Sequence, residues 1–233
     1  EKYEIERELD NAKMGAGTEY NSPESIVKLI KKSMRIVLSG LQGTNFPISY
    51  VEYENIKHEY METIHGEEYK RSTVTSKNFI GPSSLQLKNV ALLDENLKMP
   101  NVRKNYTVTD KADGDRCLLF VNNSGRIYLI NSNMDVIFTG SKTISKELFN
   151  SILDGELILF DKNKKYINLF AAFDIYYKNR VSYRENKFYH SEGDEDLPEP
   201  PIYRLEVLNA FVELLSPQNV VNVKDSCEFQ IIC

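Results

Sequence analysis

Cysteine is scarce in this chain, positive charge does not dominate, and no apolar stretch is long. The three cysteines, Cys117, Cys227 and Cys233, are odd in number and lack metal-ligand spacing, so they read as buried or free thiols. Lysine and arginine total 29 against 34 acids, a net charge of -5. That balance argues against a broad nucleic-acid-binding face, and any such contact is expected to be local, at an end or a pocket. No run approaches the length of a membrane span. The first ten residues have no signal-peptide core and no initiator methionine, which points to an excised or processed piece in a cytosolic setting. His58 and His65 fall in or near one predicted helix without a partner for metal or acid-base work, and read as surface or helix-end histidines.

What is present suits a soluble globular protein: 233 residues, 41% hydrophobic and 27% charged, enough for one large domain plus a remnant. Residues 3 to 9 alternate and place Glu4, Glu6 and Glu8 on one face of a strand, by themselves a solvated edge. Asn11 to Asn21 reads as a linker. Ser22-Pro-Glu-Ser25 supplies an N-cap, a proline at the first helical position and an early acid. The helix that follows carries Ile26, Leu29, Ile30, Met34, Val37 and Leu41 on a stripe expected to pack on the body, with Gly40 and Gly43 as stops. A second helix is expected from about Tyr50 to Ile64. A short strand is expected at Arg71–Ser76 and a helical segment over Leu85–Leu93.

From Tyr106 the pattern becomes a β meander. Strands are expected at Tyr106–Thr109, Cys117–Val121, Arg126–Ile130, Asp135–Phe138, Ile152–Phe160 and Tyr166–Tyr177, with turns at Asn122-Asn-Ser-Gly125 and Asn131-Ser-Asn133. Connections this short force antiparallel pairing. A short helix is expected at Thr143–Ser151 and another at Tyr203–Leu215, and Ser191–Pro201 reads as a solvated loop and nothing more. The fold class is α+β with twisted antiparallel sheets.

Between the first two of these strands lies Lys111-Ala-Asp-Gly-Asp-Arg116. An amine attacks phosphorus only when neutral, so a nucleophilic Lys111 needs desolvation or a cationic neighbour, and Arg116 is close enough in sequence to be one. Gly114 permits a tight turn or a close approach. Read alone, the loop is also an ordinary polar hairpin, Glu156 an acid at a strand terminus and Phe173 a core ring.

Three segments in order, Thr107 to Arg116, Ile152-Leu-Asp-Gly-Glu-Leu-Ile158 and Phe170-Ala-Ala-Phe-Asp-Ile-Tyr-Tyr177, resemble the covalent nucleotidyltransferases, the superfamily of capping guanylyltransferases and polynucleotide ligases. The resemblance covers roughly residues 78 to 215 and is nearest to the guanylyltransferase domain of the multifunctional mRNA capping enzymes of nucleocytoplasmic large DNA viruses. It implies a lysine-GMP phosphoramide at Lys111, made from GTP and passed to the diphosphate 5′ end of RNA. It further implies that Asp113 fixes the loop, Arg116 contacts ribose or phosphates, Glu156 contacts ribose or metal, and Phe173 stacks on the purine, with Mg2+ or Mn2+ as cofactor. Glu4, Glu6 and Glu8 resemble a strand of the tunnel-type RNA triphosphatases that precede this domain, and would be metal ligands only with that domain complete.

The implied division is thus residues 1–20 as the end of a triphosphatase plus linker and 21–233 as the guanylyltransferase, with other capping domains or a subunit as partners and a viral factory or virion as its cytoplasmic place. Two departures stand against the pattern: Asn131-Ser132 replace an expected arginine, and no Asp-Gly strand or Lys-x-Lys segment follows Arg204, so the chain is expected to stop within the catalytic domain. An ATP-dependent ligase module and an inactive nucleotidyltransferase-like scaffold are the alternatives.

Overall fold

In the computed structural model the described residues are 6, 8, 10–70, 72–82, 84–92, 100–103, 106–191, 193–194, 197–199, 201–220 and 229–233. They fall into two units divided between Pro47 and Ile48. The first contains α1, Pro23–Gln42, begun as expected by the Ser22 cap and ended by Gly43 in the left-handed region (φ 61°). Its apolar stripe holds no buried residue, and Ile30, Met34 and Leu41 are exposed. Of the acidic amino-terminal strand, Glu4 lies outside the described residues; Glu6 and Glu8 are exposed. No described helix is long and apolar enough to cross a membrane.

The second unit is built on one curled sheet. In chain order its elements are α2 (Tyr50–His65), α3 (Leu87–Val90), β1 (Asp115–Val121), β2 (Arg126–Asn131), β3 (Val136–Lys142), β4 (Ser151–Phe160), β5 (Tyr166–Lys178), β6 (Val181–Ser182), α4 (Arg204–Leu215), β7 (Gln218–Asn219) and β8 (Gln230–Ile232). The strand order is β6-β5-β4-β1-β2-β3-β7, all antiparallel, and β8 adds to β5 in parallel. The expected α+β class and meander are therefore present.

Two faces are buried, and the apolar runs follow from that. On one, Cys117, Leu119, Val121, Leu129, Leu153 and Ile175 join Leu208, Phe211 and Leu215 of α4. On the other, α2 is laid down: Tyr60 meets Phe120 edge-to-face at 6.1 Å between centroids, and the Tyr128 hydroxyl donates to Glu52 at 2.8 Å. Burial pushes the Cys117 thiol up to about 12, so it stays protonated and inert, while Cys233 is a free, exposed thiol and Cys227 lies outside the described residues.

Several local expectations fail for lack of a partner. Residues 106–113 form no strand: Tyr106 and Val108 are exposed, and alternation without a neighbouring strand to hydrogen-bond is not enough. Residues 72–75 likewise form no strand, the segment closing into a 3-10 turn at Ser76–Asn78. The helical segment at 85–93 is the single turn α3, and that at 143–151 a 3-10 turn, Lys146–Leu148.

Ser191–Pro201 is more than a solvated loop. Asp194 is buried, ion-paired with Lys187, and accepts from the Tyr203 hydroxyl at 2.7 Å and the Ser191 amide at 2.9 Å. These bonds hold its carboxyl well below the usual range.

Candidate active site

The edge-to-edge register of β1 and β4 sets Arg116 opposite Glu156 and Leu118 opposite Asp154. Side chains two apart share a face, so Arg116, Asp154 and Glu156 stand on the face that α2 covers further along. Glu156 lies in mid-strand, not at a strand terminus.

The loop leading into β1 brings Lys111 to this face. Its Nζ is 3.9 Å from Glu156 Oε1 and donates to the Ala112 carbonyl at 2.9 Å, with 81% of the side chain exposed. Gly114 makes this possible: a Cβ there would stand 2.5 Å from the Leu157 carbonyl oxygen, so only glycine lets the loop lie on β4. Asp113 is exposed and has no hydrogen bond or ion pair among the described residues.

Arg116 is held by an acid of the neighbouring strand. Its Nε donates to Asp154 Oδ1 at 3.1 Å and one Nη to Oδ2 at 2.6 Å, a two-pronged pair that leaves its remaining donors at the surface. The Tyr176 hydroxyl donates to the same Oδ2 at 2.5 Å. Burial pushes the Asp154 carboxyl up, against the downward pull of Arg116 and Tyr176. Gly81 passes beside the guanidinium, a Cβ there lying 3.4 Å from Nη2. Lys111 has a charged neighbour in Glu156, whose Oε2 is buried with no hydrogen-bond partner.

Two bulges in β5 finish the site. Asp154 pairs with Asp174 and Gly155 with Ala172, leaving Phe173 as an extra residue; Ile152 pairs with Tyr177 and Leu153 with Ile175, leaving Tyr176 as another. Bulges re-aim side chains. Tyr176 reaches Asp154, and Phe173, 37% exposed, is no core ring but lines a cleft of about 590 Å³ with Tyr106, Thr109, Phe188, His190 and Arg204. Arg204 is held there by a second two-pronged pair, to Asp174 at 2.7 and 3.0 Å. A cleft of this size suits a nucleotide-sized ligand. A second, of about 450 Å³, is lined by Asp115, Arg116, Asn131, Ser132 and Leu157, so the two residues standing where an arginine was expected do border a site.

The sequence pattern passed over Asp154, Tyr176, Asp174 and the cleft aromatics other than Phe173. Asp154 alone carried a signal, as an acid inside the apolar run Ile152-Leu-Asp-Gly-Glu-Leu-Ile158. No group of three or more His, Cys, Asp or Glu among the described residues is placed to hold a metal ion. The unpartnered oxygen of Glu156 does fit an ion such as magnesium, which uses one or two carboxylates together with substrate phosphates.

An antiparallel-sheet α+β body with a lysine, an arginine and a carboxylate gathered beside an aromatic cleft defines a nucleotidyltransferase-type catalytic domain. The model of the mRNA capping enzyme catalytic domain matches residues 44–192, and the chain belongs to that family. A probable mRNA-capping enzyme of Acanthamoeba polyphaga mimivirus is 32% identical over 187 residues, 80% of this chain. The chain spans 13% of the length of that relative.

Proposed function

We propose that the chain is an mRNA guanylyltransferase unit that moves GMP from GTP to the diphosphate end of RNA through Lys111. Its main support is the meeting of Lys111 with Glu156 beside the Arg116–Asp154 pair, which brings two motifs distant in sequence together on one sheet face. In the first step the neutral Lys111 amine attacks the α-phosphorus of GTP; the P–N bond forms, the bond to the β-phosphate oxygen breaks, pyrophosphate leaves, and the attacking nitrogen gives up one proton to solvent or to the departing pyrophosphate. In the second a β-phosphate oxygen of the RNA end attacks the same phosphorus, the P–N bond breaks, and Lys111 recovers a proton.

Arg116, fixed by Asp154, turns its free donors to ribose or phosphate oxygens. Phe173 stacks on the purine in the 590 Å³ cleft. Glu156 steadies Lys111 through one oxygen and offers the other to a divalent cation, magnesium or manganese, which neutralises charge at the α-phosphate and leaving pyrophosphate. Residues 1–20 are the end of a tunnel-type RNA triphosphatase plus a linker, and 21–233 the guanylyltransferase domain. The much greater length of the mimivirus relative supports further capping domains as partners, acting at a cytoplasmic site such as a viral factory or virion.

The test is covalent labelling. The chain is incubated with manganese and either GTP or ATP, denatured, and assayed for retained nucleotide, with Lys111→Ala as control. A GMP adduct lost in the variant is expected. An AMP adduct would point to ligase chemistry; no adduct here but one in a version extended past Cys233 would point to an incomplete catalytic unit, and no adduct in either to an inactive scaffold.

A further inference from the structure

The β4–β5 hairpin ends in two aromatic rings that the fold leaves in water. Phe160 is 56% exposed and Tyr166 41%, and the rings meet at 5.6 Å between centroids. Between them run Asp161-Lys-Asn-Lys-Lys165. The acid of this turn is used internally: Asp161 Oδ1 accepts from the amides of Asn163 and Lys165, both at 2.8 Å, and backbone bonds join Asp161 with Lys164 and Lys165. Lys162, Lys164 and Lys165 are exposed and make no ion pair among the described residues.

We propose that this tip is a docking surface for the single-stranded RNA that follows the acceptor 5′ end, the rings stacking on bases and the three lysines meeting phosphates. The chemistry is that of single-strand binding, in which aromatic faces take any base and cations follow the backbone. The charge is local: a small cationic tip on a chain of net charge -5 suits a short tract of strand, not a long duplex. Its position is apt. Phe160 and Glu156 share a face of β4 four residues apart, roughly 13 Å at the usual strand rise. Since Glu156 adjoins Lys111, RNA with its end at the amine has the hairpin tip within reach of its first few nucleotides. This rests on Lys111 as the transferring residue.

The test separates the two readings by using a short 5′-hydroxyl oligoribonucleotide, which cannot accept GMP. Its binding is titrated over a range of salt for the wild-type chain, for Lys162→Gln/Lys164→Gln/Lys165→Gln, and for Phe160→Ala/Tyr166→Ala, with GTP labelling run in parallel. The lysine variant is expected to lower the slope of log affinity against log salt by about 2, at about 0.7 per lost phosphate contact. The aromatic variant is expected to weaken binding about fivefold or more. Labelling by GTP should be unchanged in both. RNA binding that is absent, or unaffected by both variants, overturns the proposal, as does capture of an acidic peptide in place of RNA. Tip-dependent RNA binding without any labelling would overturn the role of Lys111 and leave the surface standing. Circular dichroism checks folding, and the lysine variant alone decides if removing the rings unfolds the hairpin.

Discussion

Asp154 and Arg116 form a two-pronged ion pair in which the carboxylate side chain is 2% exposed and the guanidinium side chain 34%. Asp154 is too buried to reach a substrate itself, so if Arg116 holds the nucleotide, Asp154 would act by positioning. Asp154→Ala strands a guanidinium at the site and should cost about 3 kcal/mol, the low end for a broken buried pair because Arg116 keeps part of its hydration. Tyr176→Phe should cost about 1.5 kcal/mol, the loss of one hydrogen bond to a charged group. Both should raise KM for GTP in the labelling reaction, and urea unfolding measures the stability terms separately.

Gly155 admits no side chain. A Cβ there would sit 2.4 Å from the Phe170 ring and 2.5 Å from the Ala171 carbonyl oxygen. Phe170 is fully buried and cannot retreat. Gly155→Ala is expected to cost about 1–3 kcal/mol through overpacking, read by thermal or urea unfolding.

Phe173 offers the opposite balance. Because the ring is partly exposed in the cleft, Phe173→Ala should change stability by no more than about 0.5 kcal/mol. If it stacks on the purine, KM for GTP rises about fivefold or more with the fold intact. A large fall in melting temperature with unchanged KM would return it to the core.

Asp194 predicts an acid-sensitive loop. Its folded carboxyl lies below the ordinary range because Lys187, then Tyr203 and Ser191, favour the charged form. The stability it contributes is present above the unfolded value of about 4 and is lost as pH falls through the folded value. Proteolysis of the 191–201 loop should therefore quicken below about pH 4, and Asp194→Asn should show rapid cleavage at neutral pH with little further acid dependence.

Much of the scaffold was legible because its signals are local. Ser22, Pro23 and Gly43 mark α1, and the apolar runs separated by Asn122-Asn-Ser-Gly125 and Asn131-Ser-Asn133 mark β1 to β3. Lys111, Arg116 and Glu156 were legible as motif residues; the register of β1 with β4 sets Arg116 opposite Glu156, and the loop before β1 carries Lys111 to the same acid. What stayed hidden depends on distant partners. Tyr106–Thr109 has the alternation of a strand but no neighbour, Asp194 looks solvated until Lys187 and Tyr203 close on it, and nothing near Arg116 in sequence announces its pairing with Asp154. Tyr176 carried no separate signal, because a bulge has no signature in a single strand.

Those bulges make β5 sensitive to chain length in a way that side-chain replacement does not reveal. Phe173 is one of the residues by which β5 outruns β4, and every residue on its amino-terminal side keeps its phase relative to Asp174 only because that surplus residue exists. Removing it altogether would shift Ala171 and Ala172 by one step and exchange the sides they present. An alanine at this position trims a ring; a one-codon deletion would turn part of a strand inside out.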